Sequence, residues 1–228
     1  MNIQCIIPAR GGSKGIYKKN VTNFCGKPLL AWTIDQCLNA EKVSDVWVSS
    51  DDDEILNAAE SYGAKIIKRP VEISVDISTS ESTWLHAIDY LKTNGEPVDI
   101  VLGPQVTSPL REVSDIDNAI DKFIEGGYDS MFSASMVEDF FFWGESSSGI
   151  KSINYDYKNR QRRQDVNEQI IENGSFYLFK TDIIQNFNNR MGGKIGYSKM
   201  DFWKMFEIDD VNDLRMCSAL MKEFLIKG

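Results

Sequence analysis

Near its start the chain reads Ile3-Gln4-Cys5-Ile6-Ile7-Pro8-Ala9-Arg10-Gly11-Gly12-Ser13-Lys14-Gly15, an apolar run followed by a polar, glycine-rich segment. The apolar run predicts a buried strand that ends at Pro8. The glycines and cations of the following loop are Gly11, Gly12, Gly15, Arg10, Lys14, Lys18 and Lys19. Glycine lets backbone N–H groups approach an anion, and the cations neutralise its charge. The pattern therefore indicates polyphosphate binding directly after a first strand, and the alternative is a surface turn with solvated lysines. The spacing matches neither G-x-x-x-x-G-K-[ST] nor G-x-G-x-x-G.

Beyond this loop, strand-like apolar runs alternate with segments in which apolar residues recur every three or four positions. The predicted strands are 4–7, 45–49, 64–68, 100–103 and 130–134, and the predicted helices are 28–40, 53–62, 79–92 and 113–124. Ser114 and Asp117 predict a capped start for the last of these helices. The alternation predicts a three-layer α/β sandwich with a mostly parallel sheet. Ligands of such sheets bind beyond the carboxyl ends of the strands. The glycine-rich loop, Ser49-Ser50-Asp51 and residues 105–111 should therefore share one rim.

The alternation stops between Val137 and Glu172. This stretch contains the aromatic cluster Phe140-Phe141-Phe142-Trp143 and a basic run from Lys158 to Arg163. We interpret it as an inserted hairpin or small subdomain. The rings indicate an interface with a second copy of the chain, because so many aromatic side chains rarely stay exposed on a monomer. Ordinary core packing within one subunit is the alternative.

Composition limits the classes of function. The chain has 228 residues, 42% hydrophobic residues and a net charge of −9. Such acidity argues against nonspecific binding to nucleic acid or to an anionic membrane surface. The four cysteines lack C-x-x-C spacing. No signal peptide or membrane-length apolar run is found, so we expect a cytoplasmic protein with reduced thiols.

Few side chains in this sequence suit general base or nucleophilic catalysis. His86, the one histidine, lies in a helical pattern, which disfavours Ser–His or Cys–His hydrolysis and excludes a three-histidine metal site. Nucleotidyl transfer remains, since it requires mainly alignment and charge neutralisation at phosphates. Arg10 and Lys14 are the candidates for the triphosphate. Asn20 could orient the base or the loop itself, and Lys19 is expected to be solvated.

Two further polar segments are candidate ligand contacts. In Gln105 to Arg111, Pro109 fixes the backbone and could present Gln105 to a polar ligand. Arg111 could contact that ligand or be purely structural. In Phe206-Glu207-Ile208-Asp209, the two carboxylates point the same way if the segment is extended, as Mg²⁺ binding requires, although a solvent-facing strand edge is the alternative. Asp210 and Asp213 are assigned to the first turn of the final helix.

The opening segment, Lys18-Lys19-Asn20 and Gly26-Lys27-Pro28-Leu29 resemble the signature of the acylneuraminate cytidylyltransferases, the CMP-sialic acid synthetases. The resemblance continues through Ser49-Ser50-Asp51-Asp52, Gln105 to Arg111, Arg163-Gln164-Asp165, Asn173 to Tyr177 and Glu207-Ile208-Asp209. It implies a cytoplasmic, Mg²⁺-dependent homodimer with a Rossmann-like α/β fold. It also implies a nucleotidyltransferase domain over residues 1–228, with an insertion at about 137–172 for dimerisation. CTP would activate a nine-carbon 2-keto acid sugar, releasing pyrophosphate.

The resemblance also implies roles for individual residues. CTP binding is assigned to Arg10, Gly11, Gly12, Ser13, Lys14, Asn20 and Ser80. The sugar is assigned to Gln105, Asn173 and Tyr177, together with Arg163 in a segment that reaches the neighbouring subunit's site. Glu207 and Asp209 are assigned to Mg²⁺, and Lys14, Arg10 and Asp209 to catalysis.

The chain departs from the family pattern at Tyr17, Asn167, Ile170 and Glu207, where Pro, Pro, Tyr and Asp are usual. Asn167 and Ile170 border the sugar pocket. Sialic, legionaminic and pseudaminic acids all therefore remain open as acceptors. The alternatives are nucleotidyl transfer to a sugar phosphate or Kdo-like acid, or a non-catalytic nucleotide-binding module.

Overall fold

The computed structural model describes residues 1–13, 15–75, 78–138, 140–147, 149–162, 165 and 168–226. Among these residues the strands are β1 (Ile3–Pro8), β2 (Asn23–Phe24), β3 (Lys27–Pro28), β4 (Asp45–Ser50), β5 (Lys65–Lys68), β6 (Ile100–Pro104), β7 (Ser130–Val137), β8 (Trp143–Ser146), β9 (Gly149–Ser152), β10 (Gln169–Lys180) and β11 (Ile195–Met200). The α-helices are α1 (Leu29–Leu38), α2 (Asp53–Ser61), α3 (Ser80–Thr93), α4 (Val113–Glu125), α5 (Thr181–Phe187) and α6 (Val211–Leu220).

Within the described part of the chain, seven strands form the central sheet in the order β11-β7-β10-β6-β1-β4-β5. Neighbouring strands are parallel except at β10, which is antiparallel to both β6 and β7. This arrangement confirms the predicted α/β fold with a mostly parallel sheet.

Side chains of β1 alternate between two hydrophobic layers, as the two-residue period of a strand requires. Cys5 and Ile7 pack into the layer that includes residues of α1, α2, α4 and α6. Ile6 faces the opposite layer, which includes Trp84 of α3 and Ile184 of α5. Helices therefore cover both faces of the sheet, and the carboxyl ends of the parallel strands stay open on one rim.

The predicted strands and the four predicted helices are found within a few residues of their expected bounds. The capping prediction for α4 is wrong, because Glu112 is the N-cap and the Asp115 carboxylate accepts its backbone N–H at 2.7 Å. That pair has the same three-residue spacing as Ser114 and Asp117, so spacing alone could not separate them.

Between β7 and β10 the chain leaves the central sheet and forms the two-stranded hairpin β8–β9. Phe140, Phe142 and Trp143 remain 40%, 44% and 47% exposed. The ring centroid of Trp143 lies 5.4 Å from that of Tyr157, so the aromatic cluster packs partly on itself.

In the described part of the chain, no helix combines the length and the apolar character needed to cross a membrane.

Candidate active site

A cavity of about 490 Å³ lies at the carboxyl ends of the strands. Its walls include six residues that the sequence assigned to the site, namely Arg10, Ser13, Asn20, Ser80, Gln105 and Asp209. These residues come from segments that are far apart in the sequence. They meet because the segments lie at the carboxyl ends of the parallel strands. Lys14 and Arg163, also assigned to the site, lie outside the described residues.

Short contacts fix the glycine-rich loop. Asn20 is buried, and its side-chain amide donates to the Arg10 carbonyl at 2.9 Å, so this residue holds the loop itself. The Gly11 N–H donates to Asp51 Oδ1 at 3.1 Å. A Cβ atom at Gly11 would lie 2.8 Å from Asp52 Oδ2, whereas one at Gly12 would meet nothing within 4 Å. Gly11 is therefore required for close packing, and Gly12 leaves room for a ligand.

The segment that contains Glu207 and Asp209 packs directly on this loop. Lys19 Nζ donates to the Ile208 carbonyl at 2.8 Å and to Asp209 Oδ1 at 2.9 Å. A Cβ atom at Gly15 would lie only 2.0 Å from the Asp209 carbonyl oxygen. The expectation that Lys19 is solvated is wrong, since its side chain is only 13% exposed and forms an ion pair.

The two candidate metal ligands flank Ile208, which is fully buried, while both carboxylates are exposed. Desolvation, followed by the nearby Asp209 charge, raises the pKa of Glu207 above its usual value. Asp210 caps α6, and the Asp213 carboxylate accepts the Asp210 N–H at 2.9 Å, which confirms their assignment to the helix start.

The pair is chemically suited to Mg²⁺, which prefers hard oxygen ligands and commonly keeps waters and substrate phosphates in its shell. The carboxylates of Glu207 and Asp209 are two such oxygen ligands, and Asp209 lines the cavity. The described residues contain no group of three or more His, Cys, Asp or Glu side chains placed to hold a metal ion. Glu207 and Asp209 therefore fit a metal that is shared with a bound nucleotide.

Arg69 is a site residue that sequence reasoning missed. It lines the cavity, is 4% exposed, and donates from Nη1 to Thr83 Oγ1. Its Nη2 lies 3.6 Å from Asp51 Oδ1, and its Nε and Nη2 have no hydrogen-bond partner among the described residues. Burial lowers the pKa of the guanidinium, and the Asp51 carboxylate opposes that shift. The available signal was its position directly after the predicted strand 64–68.

Arg111 is structural, which settles the alternative left open by the sequence. Its guanidinium is buried and donates from Nε to Ser175 Oγ at 3.1 Å and from Nη2 to the Gln105 carbonyl at 2.5 Å. Desolvation lowers its pKa. These bonds fix the backbone that presents Gln105 to the cavity.

The remaining predicted sugar contacts lie behind the cavity wall. The Tyr177 hydroxyl donates to Glu172 Oε1 at 2.5 Å, and burial raises the pKa of Tyr177 to about 12. The Asn173 amide is held inside the protein, where it accepts from Ser133 Oγ at 2.6 Å and donates to Ser135 Oγ at 3.2 Å. Their contact with a sugar stays a prediction.

This fold and its rim cavity define a doubly wound α/β protein with a candidate ligand site at the carboxyl ends of its strands. Among solved structures, it is similar to a CMP:2-keto-3-deoxy-manno-octonic acid synthetase complexed with CTP, with a TM-score of 0.74 and 15% identity over 99% of this chain and 100% of that one. It is also similar to 4-diphosphocytidyl-2C-methyl-D-erythritol synthase from Anaerococcus prevotii DSM 20548, with a TM-score of 0.68 and 14% identity over 97% and 96% of the two chains. At these identities the likeness shows a shared fold.

Sequence comparison gives the family. A family model described as cytidylyltransferase matches residues 4–195. The chain is 36% identical to N-acylneuraminate cytidylyltransferase A of Danio rerio over 203 residues, which cover 87% of this chain and 46% of that protein. It is 34% identical to a pseudaminic acid cytidylyltransferase of Campylobacter jejuni subsp. jejuni serotype O:23/36 (strain 81-176) over 179 residues, 76% of each chain. The chain therefore belongs to the cytidylyltransferase family, although it spans just under half the length of the Danio rerio relative.

Proposed function

We propose that this protein transfers the cytidylyl group of CTP to a nonulosonic, sialic-type acid, giving a CMP-sugar and pyrophosphate. The observation that supports this most is the meeting of a loop cation, a buried arginine and a carboxylate at one cavity. Arg10, Arg69 and Asp209 all line it. Relatives whose names specify cytidylyl transfer to N-acylneuraminate and to pseudaminic acid support the choice of acceptor class.

In this reaction the anomeric hydroxyl of the acid attacks the α-phosphorus of CTP in line. A new phosphorus–oxygen bond forms, the bond to the β-phosphate oxygen breaks, pyrophosphate leaves, and the hydroxyl proton passes to solvent. Arg10, Lys14 and Arg69 provide the positive charge that orients and neutralises the triphosphate. Asn20 and Asp51 hold the loop in place through the contacts described above.

Mg²⁺ completes the proposal. Glu207 and Asp209 would hold it, and it would supply Lewis-acid charge at the phosphate oxygens. Lys19 also offsets the charge of Asp209, because Lys19 Nζ lies 2.9 Å from Asp209 Oδ1. A protein of net charge −9 would otherwise present two carboxylates to an anionic nucleotide.

A cytoplasmic homodimer is the assembly that we propose. The half-exposed rings Phe140, Phe142 and Trp143 support burial against a second copy. The Cζ atom of Arg160, within the basic run, lies 4.3 Å from the centroid of the Phe141 ring, so the run contacts the same aromatic cluster. All four cysteines lie in the described residues and are free thiols, which suits a reducing compartment.

An acceptor panel tests the reaction. The enzyme is incubated with Mg²⁺ and CTP, or another nucleoside triphosphate, together with sialic, legionaminic or pseudaminic acid, a Kdo-like acid, or sugar phosphates. We expect pyrophosphate release that requires CTP and a nonulosonic acid. Release only with a sugar phosphate, or CTP binding without turnover of any acid, would contradict the proposal and support one of the two alternatives.

A further inference from the structure

Behind the cavity wall lies a cluster of charged and aromatic side chains, the Arg190 cluster, formed by Arg190, Tyr177, Glu81 and Glu172. Trp84 connects it to the cavity, because this side chain lines the cavity and its ring centroid lies 6.3 Å from that of Tyr177. Glu81 is the residue after Ser80, which also lines the cavity. The cluster is therefore adjacent to the proposed site and is used by none of the steps described above.

Arg190 is held firmly within this cluster. Its Cζ lies 4.2 Å from the centroid of the Tyr177 ring and 5.7 Å from that of Trp84. Its Nη1 donates to Glu81 Oε1 at 2.7 Å, and the two side chains are 24% and 15% exposed. A cation over an aromatic face, with an ion pair at one nitrogen, fixes the plane of the guanidinium.

The hydrogen-bonding capacity of Arg190 is incompletely used. A guanidinium has five N–H donors, and the buried Nε of Arg190 has no partner among the described residues. A purely structural ion pair between α3 and the segment after α5 accounts for the bond to Glu81 but leaves that donor unmatched. An unmatched buried donor costs free energy that a ligand oxygen would recover.

Two other arginines are placed to bind the nucleotide. Arg10 and Arg69 line the cavity and lie close enough for the charge of Arg10 to lower the pKa of Arg69. Arg190 does not line the cavity and instead contacts the rings of Trp84 and Tyr177. The second substrate, the acid, is therefore the better match for its free donor.

We propose that Arg190 is a specificity-determining residue that donates a charge-assisted hydrogen bond to a carboxylate or acyl oxygen of the acceptor acid, with Glu81 and Tyr177 as its positioning residues. This inference rests on the proposed cytidylyl transfer. Glu81 remains the counter-charge of Arg190 when the acid is bound.

Kinetics of Arg190→Met and Arg190→Lys test the inference, with N-acetylneuraminate and pseudaminic acid as probes. For Arg190→Met we expect the KM for the better acid to rise about tenfold or more, because a charge-assisted bond is lost. The ratio of kcat/KM between the two acids should change as well, while the Kd for CTP measured by calorimetry should stay within about twofold. Arg190→Lys keeps the charge and should be intermediate.

Lys194→Met is the matched control. Lys194 lies in the same segment after α5 and also sits over a tyrosine, but that ring is Tyr128, 5.0 Å from Nζ, and its ammonium group donates to the Gly126 carbonyl. An unchanged KM and unchanged acid preference in folded Arg190→Met or Arg190→Lys would overturn the inference. Failure of the wild-type protein to use either acid contradicts the proposed function itself, and this inference falls with it.

Discussion

At the scale of single residues, charge pairs at the cavity determine which loop cations are available to a ligand. Lys19 is bound to Asp209, and Lys18 is paired with Glu54, so neither resembles the free surface lysine that a Lys-Lys sequence indicates. Arg69 and Gly11 share one carboxylate, that of Asp51. The pairing partners are about 18 to 190 positions away along the chain, which is why the sequence pattern alone did not reveal them.

Asp51→Asn should weaken CTP binding by roughly tenfold, because Arg69 loses the carboxylate that positions its guanidinium, whereas an amide oxygen can still accept from the Gly11 N–H. Calorimetry with CTP measures the effect. Asp53→Asn is the control, since the Asp53 carboxylate pairs with Lys68 and is 82% exposed. Equal CTP affinity in the two variants would show that Asp51 does not contribute to CTP binding.

Lys14→Ala should lower kcat by about two to three orders of magnitude, as expected when one preorganised charge at the reacting phosphate is removed. The melting temperature should barely change, because a loop lysine contributes little to stability. Lys18→Ala, which removes a cation paired with Glu54, serves as the control and should keep most activity. Full activity in Lys14→Ala would show that Lys14 has no part in the reaction.

At the scale of elements, the sequence predicted strands β1, β4, β5, β6 and β7 and helices α1 to α4, because their apolar periods are regular. The elements β10, α5 and β11 were not predicted. β10 is antiparallel and contains a register shift between Glu172 and Tyr177, with Gly174 at φ 67°, so its side chains do not alternate regularly. The insertion before it also interrupts the strand–helix alternation on which the prediction relied.

The candidate site could be predicted only in part, because local sequence patterns do not specify the packing partners of its residues. Arg10, Asn20, Gln105 and Asp209 follow strands or lie in motif segments, and the structure brings them to one cavity. Arg69 was missed because a single arginine after a short strand has no distinctive spacing. The roles of Asn173 and Tyr177 depend on packing partners, such as Ser133 and Glu172, that no local pattern specifies.

The segment from Glu207 to Asp209 gives a prediction about the metal. Asp209→Asn should strongly reduce turnover and raise the Mg²⁺ concentration needed for half-maximal rate, since one charged oxygen ligand is lost. Glu207→Asp should be milder because it keeps a carboxylate at the position. Titration of the initial rate with Mg²⁺ measures both effects. An Asp209→Asn protein with full activity and the wild-type Mg²⁺ dependence would restrict Asp209 to a structural role on the loop.

At the scale of the whole molecule, the proposed binding of an anionic nucleotide and an acidic sugar by a protein of net charge −9 requires local cations. In the proposal, the loop and Arg69 supply these cations for the nucleotide. The basic run beside the hairpin β8–β9 supplies further cations, and a second copy seated on the exposed rings would bring them toward a neighbouring site. In such a dimer, catalysis at one site would depend on the neighbouring subunit.

Mixing two inactive variants tests that link. Arg163→Ala and Lys14→Ala chains are exchanged, and activity is compared with each variant alone. If sites are shared between subunits, each heterodimer regains one intact site, so about a quarter of wild-type activity should return at equal mixing. Lys14→Ala mixed with Asp209→Asn is the control and should show no recovery, since both residues belong to one subunit's site. Confirmed subunit exchange without recovery in the first mixture would contradict a shared site.

The central claim, attack of the acid's anomeric hydroxyl on the α-phosphate of CTP, is tested most directly by following an oxygen isotope. N-acetylneuraminate or pseudaminic acid labelled with ¹⁸O at the anomeric hydroxyl is incubated with CTP, Mg²⁺ and the enzyme, and the products are analysed by mass spectrometry. The account predicts a CMP-sugar that retains the label in the bridge between sugar and phosphorus, with an equal amount of unlabelled pyrophosphate. Labelled pyrophosphate, or nucleotide turnover without a CMP-sugar, would contradict it.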